Sequence, residues 1–118
     1  MAGQAVPLVL IPRYTSYVGA NTFTTVPLAV SDYVQAHVTF WRGRCPGSFA
    51  AVFETSHDAL VWTNALGTTT ITAVDTSDDW DIPLDRRWFR IRIALGTTAI
   101  TCWATGLLER RLEEKKAT

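Results

Sequence analysis

The chain is poor in the side chains from which catalytic and metal centres are most often assembled. Of its 118 residues, two are cysteine, two are histidine and one is methionine. His37 and His57 stand apart, with no HxH or HxxxH arrangement and no cysteine at metal-ligand spacing. A Gly-x-Ser-x-Gly elbow, a phosphate-cradling glycine loop and a dinucleotide fingerprint are all missing. The expectation is therefore a non-enzyme, with no catalytic residue, no cofactor and no bound metal. Excess charge is also absent, since 11 Lys and Arg balance 11 Asp and Glu. Phosphate affinity rests largely on clustered positive charge, so nucleic acid is not an expected partner. No apolar run approaches the roughly 20 residues that cross a bilayer, and no membrane contact is expected. Met1 to Leu8 shows no basic start followed by a long apolar stretch, the pattern of a secretion signal, so the product is expected to be made in the cytoplasm and left unprocessed. Cys45 and Cys102 are too few for a disulfide-dependent scaffold and read as packed, reduced thiols.

What is present points to one globular β domain. Hydrophobic residues make up 47% and charged residues 19%, a balance that supports a single core. Valine, isoleucine and threonine number 10, 6 and 17. Their branched side chains crowd a helical turn and fit a pleated surface. Alternation with a period of two marks strands. Val34, Ala36, Val38 and Phe40 share a face within Tyr33–Arg42, as do Phe49, Ala51 and Phe53 within Ser48–Ser56. Phe89, Ile91, Ile93 and Leu95 do so within Trp88–Leu95, and Ile100, Cys102 and Ala104 within Thr98–Leu108. Less regular candidates are Val6–Tyr14, Thr22–Val30, Thr69–Asp75 and Ile82–Leu84. About eight short strands punctuated by Gly, Pro and Asn turns describe an all-β, single-domain antiparallel β-sandwich or jelly roll over residues 1–108. Residues 109–118, almost all charged, read as a C-terminal arm. That arm and the strand-like Ala5–Tyr14 are candidates to reach onto adjacent chains.

Two features invite a functional reading. Asp75-Thr76-Ser77-Asp78-Asp79-Trp80-Asp81 is the densest charge cluster. It lacks the glycine and the spacing of a compact calcium loop, so it reads as a solvated strand connection. The five tryptophans are the second feature. Trp41, Trp88 and Trp103 fall opposite the aliphatic rows, on the solvent faces of a sandwich, and large exposed rings mark a ligand surface or a protein interface. Tryptophan and arginine are the types enriched at interface hot spots. Trp41, Trp80, Trp88, Arg90, Arg92, Trp103, Arg110 and Arg111 are the candidate interface residues, and a sugar-stacking platform is the rival reading of the rings.

The stretch Phe53-Glu54-Thr55-Ser56-His57-Asp58-Ala59-Leu60-Val61-Trp62-Thr63 resembles a hairpin of small β-sandwich proteins from tailed-phage particles. The pattern is a strand ending in Glu and Ser, an Asp-containing turn, and Trp-Thr opening the next strand. Arg86-Arg87-Trp88-Phe89-Arg90-Ile91-Arg92-Ile93 is similar to the arginine-rich penultimate strand of the same proteins. Ala59 stands where a glycine is usual, and the resemblance covers Ser48 to Leu108. It implies a non-enzymatic virion component, such as a capsid decoration (cement) protein or a neck or tail protein. The implied partners are further copies of the chain, as a homo-oligomer, and virion proteins such as the major capsid protein. The implied location is the virion.

Overall fold

The computed structural model describes residues 5–96 and 99–111. Nine strands appear among them, in two antiparallel sheets packed face to face. The first sheet has the order β1-β9-β4-β7, with β1 at Ala5–Val18, β9 at Ala99–Arg110, β4 at Tyr33–Arg42 and β7 at Thr76–Pro83. The second runs β2-β8-β5-β6, with β2 at Thr22–Thr24, β8 at Trp88–Leu95, β5 at Phe49–Ser56 and β6 at Thr63–Asn64. The short β3, Leu28–Ala29, also pairs with β8. The fold is the all-β sandwich expected from the period-two rows.

Those rows build the core. Ala36, Val38 and Phe40 of β4 and Ile100, Cys102 and Ala104 of β9 face Phe49, Ala51 and Phe53 of β5 and Phe89, Ile91 and Ile93 of β8. Phe53 is the hub, with ring centroids 6.2 Å from Phe40, 6.1 Å from Phe89 and 6.2 Å from Trp80. Truncating one such buried ring to alanine costs about 3–5 kcal/mol. Cys45 and Cys102 are both buried thiols, and burial pushes the Cys102 thiol up to about 12.

Four local expectations are corrected. Thr22–Val30 is not one strand, because β2 ends before Pro27, which has no N–H to give the ladder. Thr69–Asp75 is not a strand either. Only Ile71 joins the sheet, exchanging two 2.8 Å backbone hydrogen bonds with Ala51. The acidic segment 75–81, read as a connection, forms most of β7. It pairs with β4 from Gln35↔Pro83 to Arg42↔Thr76 and takes in Ile82. An edge strand tolerates such charge, which also discourages pairing with stray chains. Finally, β9 continues through Glu109 and Arg110, so the sheet holds the first two residues of the expected arm. The rest of that arm, from residue 112, lies outside the described residues, as does Thr98 at the expected start of the last strand.

Inward parity also places a charge in the core. Arg42 follows Val38 and Phe40 on the buried row and is fully buried. Its guanidinium donates to the Phe40 and Ala73 carbonyls at 2.8 and 3.1 Å and to Asp78 Oδ2 at 3.1 Å. A buried charge is tolerated only when paired and hydrogen-bonded in this way.

Candidate functional site

The outer face of the first sheet carries an aromatic cluster, and a distortion of β1 completes it. Pairing of β1 with β9 runs Val9↔Thr105, then slips to Ile11↔Ala104 and again to Thr15↔Cys102. Pro12 sits in the second slip, on an edge strand, where a missing N–H does least harm. Thr15 Oγ1 donates back to the Pro12 carbonyl at 2.7 Å. Tyr14 takes the left-handed region, with φ of 62°, a conformation that costs a non-glycine residue of order 1–2 kcal/mol.

The bulge sends two side chains over the sheet. The Arg13 guanidinium lies 4.8 Å from the Trp103 ring centroid, and Tyr14 meets Trp41 edge to face at 5.6 Å and 76°. Trp41 and Trp103 are register partners, with centroids 6.4 Å apart and planes within 18°. Tyr14 is 66% exposed and both indoles are half-buried. Arg13 and Tyr14 are the members of this platform that the sequence did not reveal, because nothing in Pro-Arg-Tyr announces where a bulge will aim them.

Beside the platform runs a polar row. His37 Nδ1 lies 2.6 Å from Asp81 Oδ1 and its Nε2 3.1 Å from Glu109 Oε1, while Thr39 donates to Asp79 at 2.7 Å. His37, Thr39, Asp79 and Asp81, with Gly106 and Leu107, line an open groove of about 340 Å³. The hydrogen bond to Asp81, followed by that to Glu109, raises the His37 pKa above its ordinary 6.5. The imidazolium therefore ties edge strand β7 to β4 and β9. A raised folded-state pKa gives a contribution fully present below pH 6.5 and lost as pH rises through the folded value. An NMR titration is expected to place the His37 midpoint above 6.5 and to return it towards 6.5 in Asp81→Asn. A wild-type midpoint at or below 6.5 would contradict this.

The outer face of the second sheet is largely satisfied within the chain. Glu54 is buried on that face, accepting from Arg90 Nε at 2.8 Å through one oxygen and from Arg92 Nε at 3.0 Å through the other. The Arg90 guanidinium also lies 4.0 Å from the centroid of Trp62. Arg90 and Arg92 thus face outward as expected, but both engage a carboxylate of their own sheet. Trp62 covers Arg90 on the outside of the sheet. Trp88 is half-buried at the start of β8. Trp80 points inward against Phe53, since β7 presents Trp80 and Ile82 to the core. Arg110 lies over Tyr33 at 5.4 Å, and Arg111 is exposed, its amide bonded to the Asp32 carbonyl.

The hairpin between β5 and β6 is held by its own polar groups. Asp58 Oδ1 accepts from the Leu60 and Val61 amides at 2.9 and 3.0 Å, and Ser56 Oγ accepts from Ala59 N at 2.9 Å. The Val61 and Leu60 amides, with the Ser56 hydroxyl, hold the Asp58 carboxyl below the usual range. Trp62 Nε1 closes the loop onto the Ala59 carbonyl at 3.2 Å. Ala59 has φ of 63°, the region that favours glycine. Ala59→Gly is expected to stabilise by about 0.5–1 kcal/mol, relief of left-handed strain outweighing glycine's extra unfolded-state entropy. A melting curve checks it; a lower Tm would contradict the assigned turn.

No protein-family model and no curated protein sequence matches the chain. Solved structures do share its fold. PBSX exported protein XepA superimposes with a TM-score of 0.64 at 16% identity, over 96% of this chain and 42% of XepA. A protein of Bacillus endospore appendages, described as disulfide-linked pili, gives 0.62 at 14% identity, over 95% of this chain and 93% of that one. SPBc2 prophage-derived protein YomS gives 0.55 at 10% identity, over 91% and 96%. The chain spans less than half of the length of XepA.

Proposed function

We propose that the chain is a non-enzymatic structural subunit of a tailed-phage-type particle, stationed on the capsid as a decoration protein that binds neighbouring subunits. The observation that carries this reading is the solvent-facing platform of Arg13, Tyr14, Trp41 and Trp103. Aromatic and guanidinium groups on a rigid sheet, with their geometry set before binding, are what a protein interface uses to gain affinity at low ordering cost. Many copies each making such a contact reinforce one another through multivalency. The fold shared with the prophage-derived protein YomS, the PBSX exported protein XepA and an appendage protein supports an assembly role.

The platform also bears on the sugar-binding alternative. A sugar stacks on an open indole face, whereas the Arg13 guanidinium covers one face of Trp103. The test is occupancy. Particles assembled with Trp103→Ala or Tyr14→Ala are expected to carry about tenfold fewer copies than wild type, with each variant still folded by circular dichroism. Full occupancy by both variants would overturn the reading. So would oligosaccharide quenching of Trp41 and Trp103 fluorescence in a chain that does not join particles.

A further inference from the structure

One end of the sandwich gathers positive charge that the other described residues leave largely unpaired. Ser31 after β3, His57 in the β5–β6 loop, Asp85, Arg86 and Arg87 between β7 and β8, and Arg111 after β9 line a hollow of about 300 Å³. Three arginines share the hollow with one lining carboxylate, that of Asp85. Arg86 meets Asp85 at 3.9 Å, the longest of the ion pairs, and also donates to Thr63 Oγ1 at 2.8 Å. Among the described residues, neither Arg87 nor Arg111 has a side-chain acceptor.

Unpaired negative charge gathers on β7 and on Asp75 just before it. The formal charge of the chain is zero, so a positive excess at one place requires a negative one elsewhere. Asp78 is paired with Arg42 and Asp81 with His37. The carboxylate of Asp79 meets only the Thr39 hydroxyl, and that of Asp75 meets no cation among the described residues. β7 is also the edge of its sheet. It therefore offers carboxylates and a free backbone edge together. Beside the hollow, the rigid β5–β6 loop holds Leu60 and Val61 in solvent, 82% and 72% exposed. A basic hollow rimmed by a fixed apolar tip fits a segment that is acidic and extended, and β7 is such a segment.

We propose that the hollow of Arg86, Arg87 and Arg111 receives the Asp75 and Asp79 side of β7 from a second copy of the chain. This rests on the reading of the chain as a self-associating structural subunit and identifies the surfaces that meet. Two different patches are joined, so a contact not reciprocated between the same two copies is head-to-tail and generates rings or filaments. Charge dominates the contact, so association weakens as salt rises.

Sedimentation velocity of the full chain, in low and high salt, tests this with charge-reversed variants. Wild type is expected to form species beyond the dimer at low salt. Arg87→Glu/Arg111→Glu and, separately, Asp75→Lys/Asp79→Lys are each expected to weaken association by about tenfold or more. The arginine reversal leaves the melting curve unchanged, and the aspartate reversal, which removes the Thr39–Asp79 hydrogen bond, lowers Tm slightly while the chain stays folded by circular dichroism. Mixing the two variants restores two compatible contacts, the native pair and the charge-reversed pair, so mixed species beyond the dimer are expected to return. Wild-type association that neither reversal alters would end this inference and leave the structural role standing. A wild-type chain that is monomeric in all salt and absent from particles would end both.

Discussion

Glu54→Ala is expected to lower the stability of the chain by about 3–5 kcal/mol, the cost of breaking a buried charge pair from one side. Glu54 is 6% exposed and is the only carboxylate that Arg90 and Arg92 reach among the described residues. Removing it leaves the Arg90 guanidinium, only 18% exposed, beneath Trp62 without a counter-charge. For a domain of this size the loss corresponds to a fall in Tm of roughly 10–20 °C. Arg92→Ala is expected to cost far less, about 1 kcal/mol or below, because its side chain is 42% exposed and solvent screens the pair. Equal losses for the two variants would show that Arg90 is not the partner that makes Glu54 matter.

Gly106→Ala is expected to be as damaging, for a different reason. Gly106 lies in the middle of β9, opposite Leu8 on one side and Val38 on the other. A Cβ there would overlap the carbonyl group of His37 and the Cα of Val38. These are backbone atoms of a central strand and cannot rotate away, so β4 and β9 must separate locally. A cost of about 3 kcal/mol or more follows, at the upper end of overpacking effects. The same shift displaces His37 from Asp81 and Glu109, so its NMR midpoint should fall together with Tm. A variant that melts like wild type would mean that the two strands do not approach so closely.

The inner face of the sandwich was legible in the sequence because the chemistry repeats with the geometry. Phe89, Ile91 and Ile93, or Val38 and Phe40, alternate with polar partners, and burial is the only arrangement that satisfies both rows. Trp41 and Trp103 were placed outward by the same parity, and the register adds that they are direct partners. The acidic strand β7 was not legible. Asp and Ser have low strand propensity, and what holds that segment is non-local, namely His37, Thr39 and Arg42 on β4. Arg90 and Arg92 were correctly faced but not correctly partnered, because Glu54 lies 36 and 38 residues earlier and only strand pairing brings it near. Arg13 and Tyr14 were invisible for a related reason, since a bulge is a property of two strands together. Gly106 did carry a signal: a glycine inside a strand pattern marks close backbone approach.

The central claim is that the outward aromatic face of the first sheet is covered by a neighbouring polypeptide in the assembled state. Hydroxyl-radical footprinting of Tyr14, Trp41 and Trp103, in the isolated chain and in purified particles, tests it most directly. Oxidation of all three is expected to fall severalfold on assembly, while Val26, 77% exposed between β2 and β3 of the second sheet, serves as the internal comparison. Equal oxidation of Tyr14, Trp41 and Trp103 in the two states would contradict the claim.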